Sequence, residues 1–231
     1  MWGGDSVGHT GWTMSALADF LPPVGSDPED VLEAFAAWAA ESGRPLYPHQ
    51  EEAALALAAG EHVVLATPTG SGKSLVAVAG VLLALNDGRR AVWTAPIKAL
   101  VAEKFFDLVG LIGARRVGLA TGDAAINADA EVLVCTAEVL ANHALSTGPT
   151  SDFGFACLDE FHYYGEHDRG WAWQVPLLEL TNCQMLLASA TLGDMSAIVT
   201  DLAERSGRAV AEVTSVDRPT PLYHQWRMTS V

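Results

Sequence analysis

Six short apolar runs separated by amphipathic segments constrain the fold of this chain more than any other feature. The runs lie at 62–66, 91–95, 117–120, 131–135, 155–158 and 185–189. Most are near-continuous Val, Leu, Ala and Cys rather than alternating apolar and polar residues. That is the pattern of strands buried on both faces of a parallel sheet. Helical patterns run between them, around 73–86, 98–110, 137–145, 171–180 and 194–206. Parallel neighbours need crossover connections, and right-handed strand–helix–strand units build a doubly wound, mostly parallel α/β sheet. In such a sheet the ligand-binding loops gather at the carboxyl ends of the strands.

Flanking this unit, residues 26–60 read as two helices. Ser26 with Glu29 fits a capping box, and Asp27 as cap with Pro28 in the first helical position fits equally well. Leu32, Phe35, Ala36 and Ala39 form an apolar face, and Gly43 supplies a stop. A second helix starts at Pro48 and ends near Gly60. Residues 1–25, with Trp2 and Trp12 among glycines and prolines, read as a loosely ordered arm. The expected division is 1–25 arm, 26–60 helices, 61–214 α/β domain and 215–231 connection.

Charge narrows the partners. Thirteen Lys and Arg stand against 28 Asp and Glu, a net charge of −15 over 231 residues. Phosphate backbones are held by clustered cations, so a general electrostatic grip on nucleic acid is excluded and any contact must be local. Cys135, Cys157 and Cys183 are widely spaced and form no C-x-x-C pair, which excludes a zinc ribbon and a disulfide framework. No apolar run reaches the ~18–20 residues that span a bilayer. No Lys or Arg precedes Arg44, so a basic signal-peptide start is lacking. The expected compartment is the cytoplasm, with no membrane partner.

Two segments carry chemistry. The first is Val63-Val64-Leu65-Ala66 running into Thr67-Pro68-Thr69-Gly70-Ser71-Gly72-Lys73-Ser74 and then an apolar helix start. Strand, Gly-rich turn and helix is the context a phosphate loop requires. Gly70 and Gly72 let successive N–H groups face phosphate oxygens, Lys73 adds an ammonium for the β- and γ-phosphates, and the Ser74 hydroxyl suits Mg²⁺. The general signature places Gly at position 67, where this chain has Thr67. The second segment is Phe155-Ala156-Cys157-Leu158-Asp159-Glu160-Phe161-His162, an apolar strand that delivers two adjacent acids at its carboxyl end. Phosphoryl transfer to water needs one carboxylate on the metal and another to orient and deprotonate the water. Asp159 suits the first role and Glu160 the second. ATP and Mg²⁺ are the expected cofactors.

Together with Ser189-Ala190-Thr191, these segments resemble motifs I, II and III of superfamily-two DExH-box helicases in order and spacing. Ala95-Pro96-Ile97-Lys98-Ala99-Leu100 resembles motif Ia. Thr121-Gly122-Asp123 and Thr136-Ala137-Glu138-Val139-Leu140 resemble two further nucleic-acid-contacting motifs, and Tyr47-Pro48-His49-Gln50 resembles the adenine-reading Q-type motif. Ile126-Asn127, Tyr163, Asp168-Arg169-Gly170 and Arg218-Pro219-Thr220-Pro221-Leu222 resemble the superkiller and exosome-cofactor branch, in its actinobacterial form. Three lysines beside ten arginines suit a GC-rich genome.

The resemblance covers roughly residues 44–224 and implies a RecA-like ATP-binding domain with assigned residues. Gln50 would read the adenine edge, with Tyr47 among the nucleotide-binding residues. Thr67 to Ser74 would hold the phosphates, with Ser74 and Asp159 on Mg²⁺ and Glu160 as base. His162, Ser189 and Thr191 would couple the nucleotide to domain movement. Pro96, Lys98, Thr121, Gly122, Thr136 and Glu138 would line the path of a single strand of RNA, or of DNA. The family carries two such domains, the second supplying an arginine finger in cis or in trans, and residues 208–231 have room for one or two strands only. The resemblance therefore implies an ATP-dependent helicase domain that is incomplete and weakly active alone. The alternatives are a DNA helicase in repair and a nucleotide-binding interaction module without turnover. The oligomeric state is left open.

Overall fold

The computed structural model describes Leu17 and residues 20–215. Most of the expected arm, and the expected connection with Arg218 to Leu222, lie outside these residues.

Two helices precede the sheet: α1 (Pro28–Glu41) and α2 (Pro48–Ala58). Of the two readings of the first cap, Asp27 forms. Its side chain accepts from Glu29 N–H at 2.9 Å, with Pro28 next in line. Ser26 instead donates to Pro23 O at 2.6 Å. A side-chain cap of this kind contributes about 1 kcal/mol. Val31, Leu32, Phe35, Trp38 and Ala39 are buried, and Ala36 lies half out.

The sheet is built from β1 (His62–Ala66), β2 (Arg90–Ala95), β3 (Val117–Ala120), β4 (Ala125–Ile126), β5 (Val132–Thr136), β6 (Phe153–Leu158), β7 (Gln184–Ser189) and β8 (Val210–Thr214). The helices between are α3 (Lys73–Asn86), α4 (Lys98–Ile112), α5 (Ala137–Thr147), α6 (Trp171–Glu179) and α7 (Ser196–Ser206). All six expected strands form. The sequence reading lacks β4, a two-residue exposed hairpin arm antiparallel to β3, and leaves β8 unassigned. β8 pairs parallel with β1 at the edge. The last helix begins at Ser196 rather than 194, with Met195 as its cap residue and Asp194 before it accepting from Ser196 N–H at 2.9 Å.

The strand order is β4-β3-β5-β2-β6-β7-β1-β8, parallel except for the β3–β4 pair. Two apolar layers sandwich it. One holds α1, α2, α3 and α4 residues against one face of the sheet, and the other holds α5 and α6 residues against the opposite face. Gly80 in α3 shows how tight the first layer is, since a Cβ there would overlap the buried Phe155 ring. Glycine inside a helix costs about 1 kcal/mol against Ala, and here that cost allows helix and strand to touch.

The order of strands sorts the motifs. β3, β5 and β2 end at Thr121, Thr136 and Pro96. β6, β7 and β1 end at Asp159, Ser189 and Thr67. Parallel pairing puts every one of these ends on the same edge. Segments far apart in sequence are thereby divided into two adjoining groups along one rim.

Candidate nucleotide and nucleic-acid site

The loop after β1 is closed by its own residues. Thr67 is fully buried, and its hydroxyl lies 2.6 Å from the Ser71 hydroxyl. The residue that departs from the general signature therefore braces the loop from inside. Gly72 adopts φ 81°, and a Cβ at this position would run into the Gln50 amide. Lys73 donates to Thr67 O at 2.7 Å and Pro68 O at 3.2 Å. Burial holds its pKa below the usual lysine value, against the pull of Glu160 and Asp159. Thr69 and Gly70 are exposed at the tip, and Ser74 is half-buried in the first turn of α3.

Gln50 is 1% exposed. Its Nε2 donates to Ser71 O at 2.9 Å and Gly72 O at 3.0 Å, and its Oε1 accepts from Tyr47 N–H at 2.8 Å. The side chain therefore ties α2 to the phosphate loop. Tyr47 is exposed, with its ring stacked on His49 at 5.9 Å.

At the end of β6, Asp159 is largely buried. Trp93 Nε1 donates to its Oδ2 at 3.5 Å, and Glu160 N–H donates to its Oδ1 at 2.9 Å. Burial raises its pKa above the usual aspartate value, the Glu160 charge adding to the rise. Glu160 sits in the left-handed region, φ 50° and ψ 47°. That conformation costs a non-glycine residue about 1 kcal/mol or more, and it bends the chain sharply out of the strand into a 3-10 turn, Phe161–Gly165. The turn brings His162 Nδ1 to 3.3 Å from Glu160 Oε2 and 3.2 Å from Ser189 Oγ. Ser189 is fully buried and donates to Thr191 O at 3.0 Å. Because the Ser189 hydroxyl donates to Thr191 O, it accepts from His162, which assigns the proton to Nδ1 beside the Glu160 carboxylate. Motifs II and III are thus joined through one imidazole.

The donor set suits Mg²⁺. Among the described residues there is no cluster of three or more His, Cys, Asp or Glu able to hold a metal. One hydroxyl and one carboxylate, completed by phosphate and water oxygens, is how Mg²⁺ is commonly held beside a nucleotide.

The second group of residues lies at the ends of β2, β3 and β5. Lys98 pairs with Asp123 at 2.7 Å, and Thr121 donates to Asp123 Oδ1 at 2.8 Å. Gly122 is exposed, while Thr136 and Pro96 are buried. Glu138 is held by Arg169, whose Nε and Nη2 donate to Glu138 Oε1 at 2.9 and 2.7 Å. The sequence reading quotes Arg169 without a role, because its distance from every motif is invisible in one dimension. Trp173, which the sequence reading does not single out, donates its indole N–H to Asp159 O at 3.3 Å.

The sequence of residues 47–198 matches the DEAD/DEAH box helicase family. A DExH-box ATP-dependent RNA helicase of Arabidopsis thaliana chloroplasts, DExH15, is 34% identical over 171 residues, covering 71% of this chain and 14% of its own length. The probable helicase HelY of Mycobacterium tuberculosis is 34% identical over 181 residues, covering 75% of the chain and 19% of its own length. The antiviral helicase SKI2 of Saccharomyces cerevisiae is 31% identical over 175 residues, covering 75% and 14%. The chain thus spans less than a fifth of the length of these relatives. Among solved structures, a hypothetical ATP-dependent RNA helicase of Sulfolobus tokodaii superposes with a TM-score of 0.60 at 18% identity, over 78% of this chain and 56% of that one. This likeness shows a shared RecA-like fold.

Proposed function

Because the chain belongs to the DEAD/DEAH box helicase family, in its superkiller-like DExH branch, we propose that it is the ATP-binding domain of a nucleic-acid-dependent ATPase acting on single-stranded RNA. The observation that carries the reading is the arrangement at the ends of β1, β6 and β7. The self-closed phosphate loop, Asp159, Glu160 and the His162–Ser189 contact occupy neighbouring strand ends on one edge.

The residues divide the work. Lys73 leaves its two loop carbonyls for the β- and γ-phosphates, and the loop N–H groups complete the cradle. Ser74 and Asp159 would hold Mg²⁺, which when bound would offset phosphate charge. A cation there would favour the ionised form of Asp159 and so oppose the effect of its burial. Glu160 takes the proton of the attacking water. Uptake of that proton removes the carboxylate charge beside His162 Nδ1, and the hydrogen bond from Nδ1 to Ser189 passes the change to Ser189 and Thr191. Gln50 steadies the loop through Ser71 and Gly72 while Tyr47 stays free to meet the base. Lys98, Thr121, Gly122 and Glu138 form the rim along which the strand lies, and Pro96 and Thr136 support it from buried positions.

Steady-state ATP hydrolysis tests the reading, with and without single-stranded RNA and DNA of equal length. It is measured on this chain and on the chain joined to a second RecA-like domain. Turnover is expected to be slow in the chain alone and faster by about 10³–10⁵ with the second domain's arginine. RNA is expected to stimulate more than DNA, the 2′-hydroxyl being the difference. Equal turnover in both forms would overturn the two-domain requirement. Equal stimulation by DNA would assign a DNA substrate.

A further inference from the structure

Taking the site as an ATPase dependent on nucleic acid, we propose that Arg169 is a positioning residue that masks the Glu138 carboxylate, so that an acidic chain can present a phosphate-tolerant rim. Glu138 stands in the first turn of α5, at the end of β5 and among the residues assigned to the strand path. A bare carboxylate there would repel a phosphodiester backbone. Arg169 reaches it from the segment before α6 with two donors on one oxygen, at 2.9 and 2.7 Å, both side chains about one-third exposed.

Four residues, Glu138 among them, hold the guanidinium in place. Its Nη2 also donates to Pro96 O at 2.7 Å, and its carbon lies 6.0 Å from the Tyr163 ring centre and 5.8 Å from that of Trp173. Tyr163 and Trp173 stack on each other at 5.4 Å. Gly170, next in sequence, has no room for a Cβ against Tyr164 O and Glu166 O. The arginine is thus fixed by its surroundings before any strand arrives, and its planar fork suits the simultaneous contact with Glu138 and Pro96. Lys98 nearby is likewise paired with an acid, Asp123, though both of those side chains are mostly exposed and free to part. The rim therefore holds one cation available for phosphate and one committed to neutralising its neighbour.

Fluorescence titration of labelled single-stranded RNA into the chain tests this, with an ATP analogue titrated in parallel. Arg169→Ala is expected to weaken RNA binding by roughly tenfold, because the carboxylate is uncovered. Glu138→Gln is expected to tighten it by about threefold, since Arg169 then faces the strand uncompensated. The double variant is expected to return to within about threefold of the unaltered chain. Affinity for the ATP analogue stays unchanged throughout. Weaker binding by Glu138→Gln would make Glu138 a direct ligand and overturn the inference. So would a double variant as weak as Arg169→Ala, or a loss of ATP-analogue binding in step with RNA binding, which would mark a structural role. Failure of the unaltered chain to bind RNA or DNA would overturn the proposed function itself, and the masking with it.

Discussion

The two ends of the sheet use buried polar groups in opposite ways. At the amino end they close the structure. His62 Nδ1 accepts from Met185 N–H at 2.9 Å and Nε2 donates to Ser206 Oγ at 2.8 Å. Gln184 donates to Leu57 O and Glu61 O, Arg208 to Gly60 O and Arg89 to Phe153 O. These bonds satisfy main-chain carbonyls near the beginnings of strands, and the groups that can be neutral are neutral. At the carboxyl end Asp159 and Lys73 are held where burial works against their charges. Glu160 adopts a left-handed backbone. The folded chain tolerates that arrangement because the other end, and the core between, supply the stability. A site strained in this way is released when a charged ligand arrives, whereas the amino end has nothing to gain from one.

The contrast is sharpest in Glu160→Gln. The amide keeps the shape and cannot accept the proton. In a protein carrying both domains, turnover is expected to fall by about 10²–10⁴, with ATP retained and the melting temperature unchanged or raised. Hydrolysis within a few-fold of the unaltered protein would remove Glu160 from the role of base.

At the other end the sensitive quantity is stability in acid. Burial, with the nearby Arg208 charge, lowers the His62 pKa from 6.5 to about 4. The folded-state value lies below the unfolded one, so the stabilisation is complete above pH 6.5 and is lost as pH falls towards 4. Protonating Nδ1 would break the bond from Met185 N–H. The loss approaches about 3 kcal/mol near pH 4 by linkage. Urea unfolding at pH 7 and pH 4.5 should therefore show a steeper acid loss for the unaltered chain than for His62→Gln. Asp159 runs the other way, its raised pKa favouring the fold in acid, so the comparison between chains rather than the absolute slope is the measure. Parallel acid loss in the two would show that His62 is not a titrating staple.

What was legible in the sequence follows the same division. The six continuous apolar runs announced six strands because burial on both faces leaves no room for polar residues. The phosphate loop and the acid pair were legible because their chemistry demands fixed residues at fixed spacing. β4 was not, since two exposed residues carry no period. β8 alternates weakly at an edge and gave little signal. Ser26 and Asp27 both fitted the first cap, and only the turn at Pro23 decided between them. Contacts across the sheet were silent as well: Gln50 on the phosphate loop, Arg169 on Glu138, Trp173 on Asp159. Each joins segments whose proximity comes from strand order, which no local pattern states.

The central claim is that the β1 loop is an ATP site whose lysine is held in reserve by Thr67 O and Pro68 O. Titration of a non-hydrolysable ATP analogue with Mg²⁺ into the unaltered chain and into Lys73→Ala tests it most directly. The account predicts measurable binding to the first and at least tenfold weaker binding to the second, about 1.4 kcal/mol or more, because a charge-assisted contact to phosphate is lost. Equal affinity in the two would contradict it.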